Sequence, residues 1–311
     1  MLASQLSVPP QESSHIDRDH SQSPIVTPSM HEAPIAAGGS HVGTAKSRPA
    51  IIVTGASEGI GLALADRFAA KTGYSVVMIA RRSEPLEIAA RAIAERHRIT
   101  AIPLSLDITR SDAAGIIQST LASHGLHAEI LVNNAGVGLG GEFAGHDEAA
   151  IASLIDLNVR ALTLLTRHFL TGMIARRSGG IINIGSLGGF APGPYQAAYY
   201  ASKAYVASLT RALSNETAGL GVHLCVVTPG PVETAFHARM GANESFYRKL
   251  IPAMTAEAVA RATWRGWRLG FRVIQPGLFT PVLSILMRIT PWLLLVPIVG
   301  WLLQKRYAGK G

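Results

Sequence analysis

Tyr199 and Lys203 stand four residues apart in the run from Ala198 to Lys203, and Ser186 lies thirteen residues before Tyr199, behind the apolar stretch from Gly180 to Gly185. On a helix spanning 197 to 214, that spacing stacks the phenol and the ammonium on one face. Free tyrosine titrates near ~10, too high for easy proton exchange at neutral pH, and an adjacent cation lowers that value by favouring the phenolate. The pair reads as an acid catalyst and the chain as an enzyme. Tyr200 is only three residues from Lys203, and Tyr195 has Tyr199 rather than lysine at its own i+4 position. Spacing from both Lys203 and Ser186 selects Tyr199.

A second constellation lies at residues 50 to 61, where the β-branched run Ile51-Ile52-Val53-Thr54 breaks into glycines and continues as the helix former Leu62-Ala63-Leu64-Ala65. This is strand, turn, helix. Gly55 permits the tight turn, Gly59 lets backbone approach a pyrophosphate, and Gly61 allows helix to pack closely on strand, while the helix N-terminus offers N–H donors to phosphate. Alone, such a turn is equally compatible with a plain tight turn. Cofactor choice follows from charge: Arg81 and Arg82 come after Val77-Met78-Ile79-Ala80, and no acid occupies the strand end. Guanidinium groups there suit a 2′-phosphate, so NADP(H) is favoured over NAD(H). The competing account makes Arg81 and Arg82 solvated loop charges, and Glu58 in the glycine loop pulls toward NAD(H).

Elements that must position these groups follow the same rhythm. Strands are expected at 50–54, 75–80, 100–105, 129–133, 180–185 and 222–228, with a seventh near 272–275, and helical segments such as 84–98 and 148–176 fall between them. That order implies an α/β doubly wound (Rossmann) parallel sheet of about seven strands, helices on both faces, in a single domain. Ligands in such sheets bind beyond the carboxyl ends of the strands, where every motif above sits.

Further motifs follow in order: Asp107-Ile108-Thr109, Asn133-Asn134-Ala135-Gly136, Asn158, and Pro229-Gly230 followed by Val232 and Thr234. With Thr54-Gly55 through Gly59-Ile60-Gly61 and Tyr199 with Lys203, they make residues 49 to 240 resemble the short-chain dehydrogenase/reductase family. The resemblance implies hydride transfer between nicotinamide and a carbonyl or alcohol carbon. Tyr199 would exchange the proton, Lys203 would lower its pKa and hold the nicotinamide ribose, Ser186 would polarise the substrate oxygen, and Asn158 would anchor a water beside Lys203. It also implies cofactor contacts from Gly55, Ser57, Glu58, Gly59, Ile60, Gly61, Asp107, Ile108, Asn133, Ala135, Gly136, Pro229, Gly230, Val232 and Thr234. Asp107 would take the adenine amine, although a helix N-cap explains it equally well. Two rivals are a catalytically silent NAD(P)-binding scaffold or sensor at a membrane surface and a sugar-nucleotide epimerase. The complete Asn158, Ser186, Tyr199 and Lys203 set weighs against the first, and the glycine spacing and chain length against the second.

Composition agrees: 311 residues, 48% hydrophobic and 15% charged, can bury one large core. The single Cys225 lies within an apolar strand, and the eleven histidines are scattered without metal-ligand spacing. Residues 1–48, rich in Ser, Pro and His, read as a disordered tail carrying neither a secretory nor a mitochondrial signal, ahead of a catalytic domain over 49–270. A cytoplasmic homo-oligomer is expected. Phe190, Pro194, Tyr195, Phe236, Met240, Phe246 and Tyr247 suggest an apolar pocket for a hydrophobic ketone or alcohol.

The C-terminal extension, 271–311, is the least ordinary segment. From residue 239 onward eleven basic side chains meet two acids, a net of +9 against +8 for the whole chain. Two charge-free apolar stretches, 273–287 and 289–304, are interrupted by prolines and too short to span a bilayer. Peripheral membrane association fits, as does packing over the pocket or a partner subunit. Nucleic acid binding is not expected, because the basic residues are interleaved with aliphatic runs.

Overall fold

β-branched runs that alternate with amphipathic segments leave the chain one way to bury both, a parallel sheet covered on each face by helices. The computed structural model describes residues 47–236, 240 and 252–304, and Lys46–Gly311 clusters as one compact unit. The proposed 1–48 tail, Phe246 and Tyr247 fall wholly or almost wholly outside the described residues.

Among the described residues seven parallel strands are present: β1 (Arg48–Thr54), β2 (Ser75–Ala80), β3 (Ala101–Ser105), β4 (Leu126–Asn133), β5 (Gly180–Ile184), β6 (His223–Val227) and β7 (Val273–Ile274). Their order is β3-β2-β1-β4-β5-β6-β7. The doubly wound sheet expected from the sequence is therefore found, and β7, which falls in the stretch assigned to the extension, pairs with β6. Connectivity reverses between β1 and β4, which opens a crevice at their carboxyl ends.

Alternate side chains of each strand enter opposite layers, as a period of two requires. Ile51 and Val53 of β1 pack with α1 (Gly59–Thr72), α2 (Ser83–His97) and a later helix, Ala256–Arg268. Ala50 and Ile52 pack instead with α3 (Ala113–Ser123) and α5 (Leu162–Arg176). α4 (Glu148–Ile155) runs into α5 through a π-helical turn, Asp156–Ala161. This continuous run, Glu148–Arg176, is long and apolar enough to cross a membrane. Leu165, Phe169, Leu170 and Met173 on its α5 portion are nonetheless buried in the core. α6 (Ala197–Glu216) buries Val206 and Ala207 against Leu162 and Val226.

A polar chain crosses this second layer. Asn133 donates to Thr166 (3.0 Å) and to Asn183 (2.9 Å), and Asn183 donates to Thr210 (2.9 Å). It ties β4 and β5 to α5 and α6, so α6, which carries Tyr199 and Lys203, is fixed to the sheet by directional bonds as well as by packing. Cys225 is fully buried on β6, and burial pushes its thiol well above the usual range. After α7 (Ala256–Arg268), which covers α1, the chain adds β7 and two apolar helices, α8 (Thr280–Ile289) and α9 (Trp292–Leu303). α9 places Leu295, Val299 and Leu303 against Ala191 and the half-buried Tyr200. α8 and α9 thus bring the end of the chain back over the crevice.

Candidate active site

The glycine turn is built by backbone that tolerates no side chain. Gly55 has φ of 66° and Gly59 φ of 58°, both in the left-handed region that favours glycine. A Cβ on Gly61 would overlap the Gly55 carbonyl oxygen and crowd the Asn134 amide. The Thr54 hydroxyl accepts from Asn134 N–H (3.0 Å) and Ala135 N–H (3.1 Å), and Asn134 Nδ2 donates to Thr54 O (2.9 Å) and Gly55 O (3.1 Å). These bonds lock the ends of β1 and β4 together. Glu58, the N-cap of α1, provides no side-chain cap, so the first amides of the helix face the cleft alongside Ser57, Gly59 and Ile60. Such a cradle fits the pyrophosphate of a dinucleotide. Gly61→Ala should therefore raise the NADPH dissociation constant by about tenfold or more and lower the melting temperature, since overpacking costs roughly 1–3 kcal/mol. Fluorescence titration and thermal melts check both.

Beyond the carboxyl ends of β2 and β3, Arg81, Arg82, Asp107 and Ile108 line the cleft. Arg82 pairs with Glu58 at 3.0 Å, and both side chains are substantially exposed. Asp107 caps no helix. Its Oδ1 accepts from Thr109 N–H (2.9 Å) and Thr109 Oγ1 (2.8 Å), and α3 starts only at Ala113. The Thr109 amide is the largest influence holding this carboxyl below its usual range, with Arg81 and Arg110 adding to it. Asn133 is turned into the protein interior toward Thr166 and Asn183, whereas its neighbours Asn134, Ala135 and Gly136 line the cleft.

α6, which carries Tyr199 and Lys203, begins after the buried Gln196. Tyr199 and Lys203 share its cleft-facing side, with Lys203 Nζ 5.9 Å from the Tyr199 ring centroid. Lys203 is 5% exposed and donates to Ile184 O at 2.9 Å. Ser186 Oγ accepts from Gly188 N–H at 3.1 Å and lines the cleft with Tyr199, where its hydroxyl acts to lower the phenol pKa. Burial raises the phenol to about 12, only partly opposed by Ser186. Burial also lowers Lys203 to about 8. The expectation of a phenol acidified by its ammonium neighbour is not met here. Desolvation outweighs a cation nearly 6 Å from the ring centre.

Asn158 stands in the π-helical turn, and its amide exchanges hydrogen bonds with Val137: Val137 N–H to Oδ1 (2.9 Å) and Nδ2 to Val137 O (2.8 Å). Nδ2 also donates to Ser202 Oγ at 3.1 Å, and that hydroxyl donates to Tyr199 O at 2.7 Å. One extra residue in the turn thus ties Asn158 to α6, a device that a helical periodicity cannot reveal.

Pro229, Gly230, Val232 and Thr234 line the other end of the cleft, and Leu187 N–H donates to Pro229 O at 2.9 Å. Of the apolar residues expected around the substrate, Phe236 and Met240 line the cleft, and Phe236 tilts against Tyr199 with ring centres 5.5 Å apart. Phe190 instead lies beneath the guanidinium groups of Arg211 (5.2 Å) and Arg288 (4.5 Å). Met287 of α8 and Val299, Leu302 and Leu303 of α9 complete the wall. No motif had singled these out, and only the packing alternative for the extension pointed to them. The whole cleft measures about 770 Å³, inside the roughly 300–1,000 Å³ of small-molecule sites.

A family model described as short chain dehydrogenase matches residues 49–245. The chain belongs to the short-chain dehydrogenase family. A short chain dehydrogenase of Pseudocercospora fijiensis is 40% identical over 190 residues, which cover 60% of each chain. A sulfoacetaldehyde reductase of Chromohalobacter salexigens is 35% identical over 217 residues, 68% of this chain and 84% of that one. Among solved structures, a short-chain dehydrogenase from Sphingobium yanoikuyae in complex with NADPH superposes with a TM-score of 0.67 at 29% identity, covering 78% of this chain and 96% of that one. Short-chain dehydrogenases are NAD(P)-dependent oxidoreductases acting on carbonyl and alcohol groups.

Proposed function

We propose that this chain reduces a hydrophobic carbonyl compound with NADP(H), with Tyr199 as the proton donor. The observation that carries the reading is the convergence of Ser186, Tyr199 and Lys203, with Nζ 5.9 Å from the phenol ring centre, on one cleft with a phosphate-fitting turn at one end and an aliphatic wall at the other. Gly55, Gly59 and Gly61 would hold the pyrophosphate, and Pro229 to Thr234 the nicotinamide end. The bound dinucleotide supplies the hydride.

At neutral pH the phenol, its pKa raised by desolvation, is protonated, which suits donation to a carbonyl oxygen that gains charge as its carbon is reduced. The Ser186 hydroxyl donates a second hydrogen bond to the same oxygen, and Lys203, charged below about 8, stabilises the phenolate left behind. Phe236, Met240 and the α9 side chains exclude water and favour an apolar substrate. The test is an assay of nicotinamide absorbance with NADPH against a series of ketones of rising chain length. Activity that rises with apolar bulk supports the reading, and no turnover of any ketone refutes it.

NADP(H) selection is assigned to Arg82 and Arg81. The exposed Glu58–Arg82 pair is worth little, so Arg82 can leave it for a phosphate. Arg82→Ala should raise the KM for NADPH about 10- to 100-fold, the loss of a hydrogen bond between charged groups. The KM for NADH should barely move. Glu58→Gln, which frees Arg82, should lower the KM for NADPH a few-fold. Equal changes for the two cofactors would show that neither residue senses the 2′-phosphate.

A further inference from the structure

α8 and α9 have two faces, one turned into the fold and one exposed. The inner face carries Met287, Leu295, Val299 and Leu303 into the cleft or against Ala191 and Tyr200. The outer face of α8 presents Val282, Ile285, Leu286 and Ile289, between 53% and 71% exposed, at the spacing of one helical stripe. On α9, Trp292, Leu293, Leu294, Ile298 and Trp301 are 50–68% exposed, and Leu278 and Phe279 just before α8 are exposed as well. Patches of this extent on a soluble surface mark a site of contact.

We propose that this outer face docks on an anionic lipid bilayer, and that the hydrophobic substrate enters the cleft from the lipid side past α9. The helices hold ten and twelve residues, so at 1.5 Å per residue they reach about 15 and 18 Å, short of the roughly 30 Å of a bilayer core. They therefore lie in the interface plane, where tryptophans such as Trp292 and Trp301 also settle. Charge selects the occupant. Arg268 and Arg272 are exposed just before the stripes, and residues from 239 onward carry a net of +9. That surplus attracts anionic headgroups and opposes apposition of a second, equally basic copy. Substrate loading rests on the reductase reading above; docking does not.

The experiment uses the full chain and vesicles of phosphatidylcholine with and without phosphatidylserine. Sedimentation should show binding to the anionic vesicles tighter by about tenfold or more and weakened by salt. Ile285→Glu, Ile289→Glu and Ile298→Glu together, none of which lines the cleft, should abolish that binding and leave turnover of a short water-soluble ketone unchanged. A long-chain ketone delivered in vesicles should be reduced faster by the wild type than by the triple variant. If the triple variant does not fold, quenching of wild-type tryptophan emission by brominated lipid decides, because Trp292 and Trp301 must meet the acyl chains. Absence of vesicle binding, binding that survives the triple change, or a dimer dissolved by it without vesicle binding in the wild type would each overturn docking. Vesicle binding without turnover of either ketone would remove the reductase reading and the loading step while leaving docking in place.

Discussion

Tyr199→Phe is expected to lower kcat about 10²- to 10⁴-fold, the usual range for loss of a positioned acid, with the NADPH dissociation constant unchanged within about twofold. The reason is local. The substitution deletes one hydroxyl, whose acidity Ser186 raises, and leaves the ring that packs edge-on to Tyr200 (6.1 Å) and against Phe236 (5.5 Å). Nothing in the glycine turn or around Arg82 touches that hydroxyl. Stability should change by about 1 kcal/mol or less, the net worth of a hydrogen bond. Single-turnover kinetics with saturating NADPH separate the chemical step from binding. A variant that keeps more than a tenth of the wild-type rate would transfer the proton-donor role away from Tyr199, and neither Tyr195 nor Tyr200 has the spacing to Lys203 to receive it.

Much of this frame is legible in the chain because the signals are local. The β-branched runs at 50–54 and 75–80 and the glycines between them fix strand, turn and helix within thirty residues, and the structure finds β1, α1 and β2 there. Tyr199 and Lys203 share a face because i, i+4 spacing on any helix guarantees it. What the sequence conceals depends on contacts distant along the chain or on solvent. Asn133 and Asn134 are adjacent and chemically identical, yet strand alternation sends Asn133 toward Asn183, fifty residues away, and leaves Asn134 to clamp the turn. The π-helical turn at Asn158 has no compositional mark. Burial of Tyr199 and Lys203 reverses the pKa shift that proximity alone suggests, because spacing reports neighbours and not the water removed from around them. The aliphatic wall supplied by α9 closes over residues a hundred positions earlier, so its role follows from packing rather than from any motif.

Lys203→Met should abolish useful turnover and yet make the protein more stable without cofactor at pH 7. Lys203 is almost wholly buried, with one hydrogen bond to Ile184 O and no ion pair among the described residues. Its pKa is lowered to about 8, so the folded state holds this proton less tightly than the unfolded chain does. The sign follows: between about pH 8 and pH 10.4 the unfolded state binds more protons, and this group's contribution to stability rises with pH across that window. Below pH 8 the penalty for the buried charge is fully present, on the order of 3 kcal/mol at 1.36 kcal/mol per unit. Methionine of similar length removes that penalty and leaves the Ile184 carbonyl without its lysine, which costs about 1 kcal/mol. A net gain of roughly 1–3 kcal/mol, or a few degrees in Tm for a domain this size, is expected at pH 7. It should shrink as pH approaches 10, where the wild-type lysine is neutral in the folded state. Above that, Tyr199 acts oppositely: its raised pKa means stability is lost as the unfolded phenol ionises first. Thermal melts of both proteins at pH 7 and pH 9.5 check this. A variant less stable than wild type at pH 7, or a difference that does not narrow with pH, would show that the ammonium is well accommodated without dinucleotide. The expected result instead makes Lys203 a charge that the fold tolerates at a cost because the acid beside it requires a cation when its proton leaves.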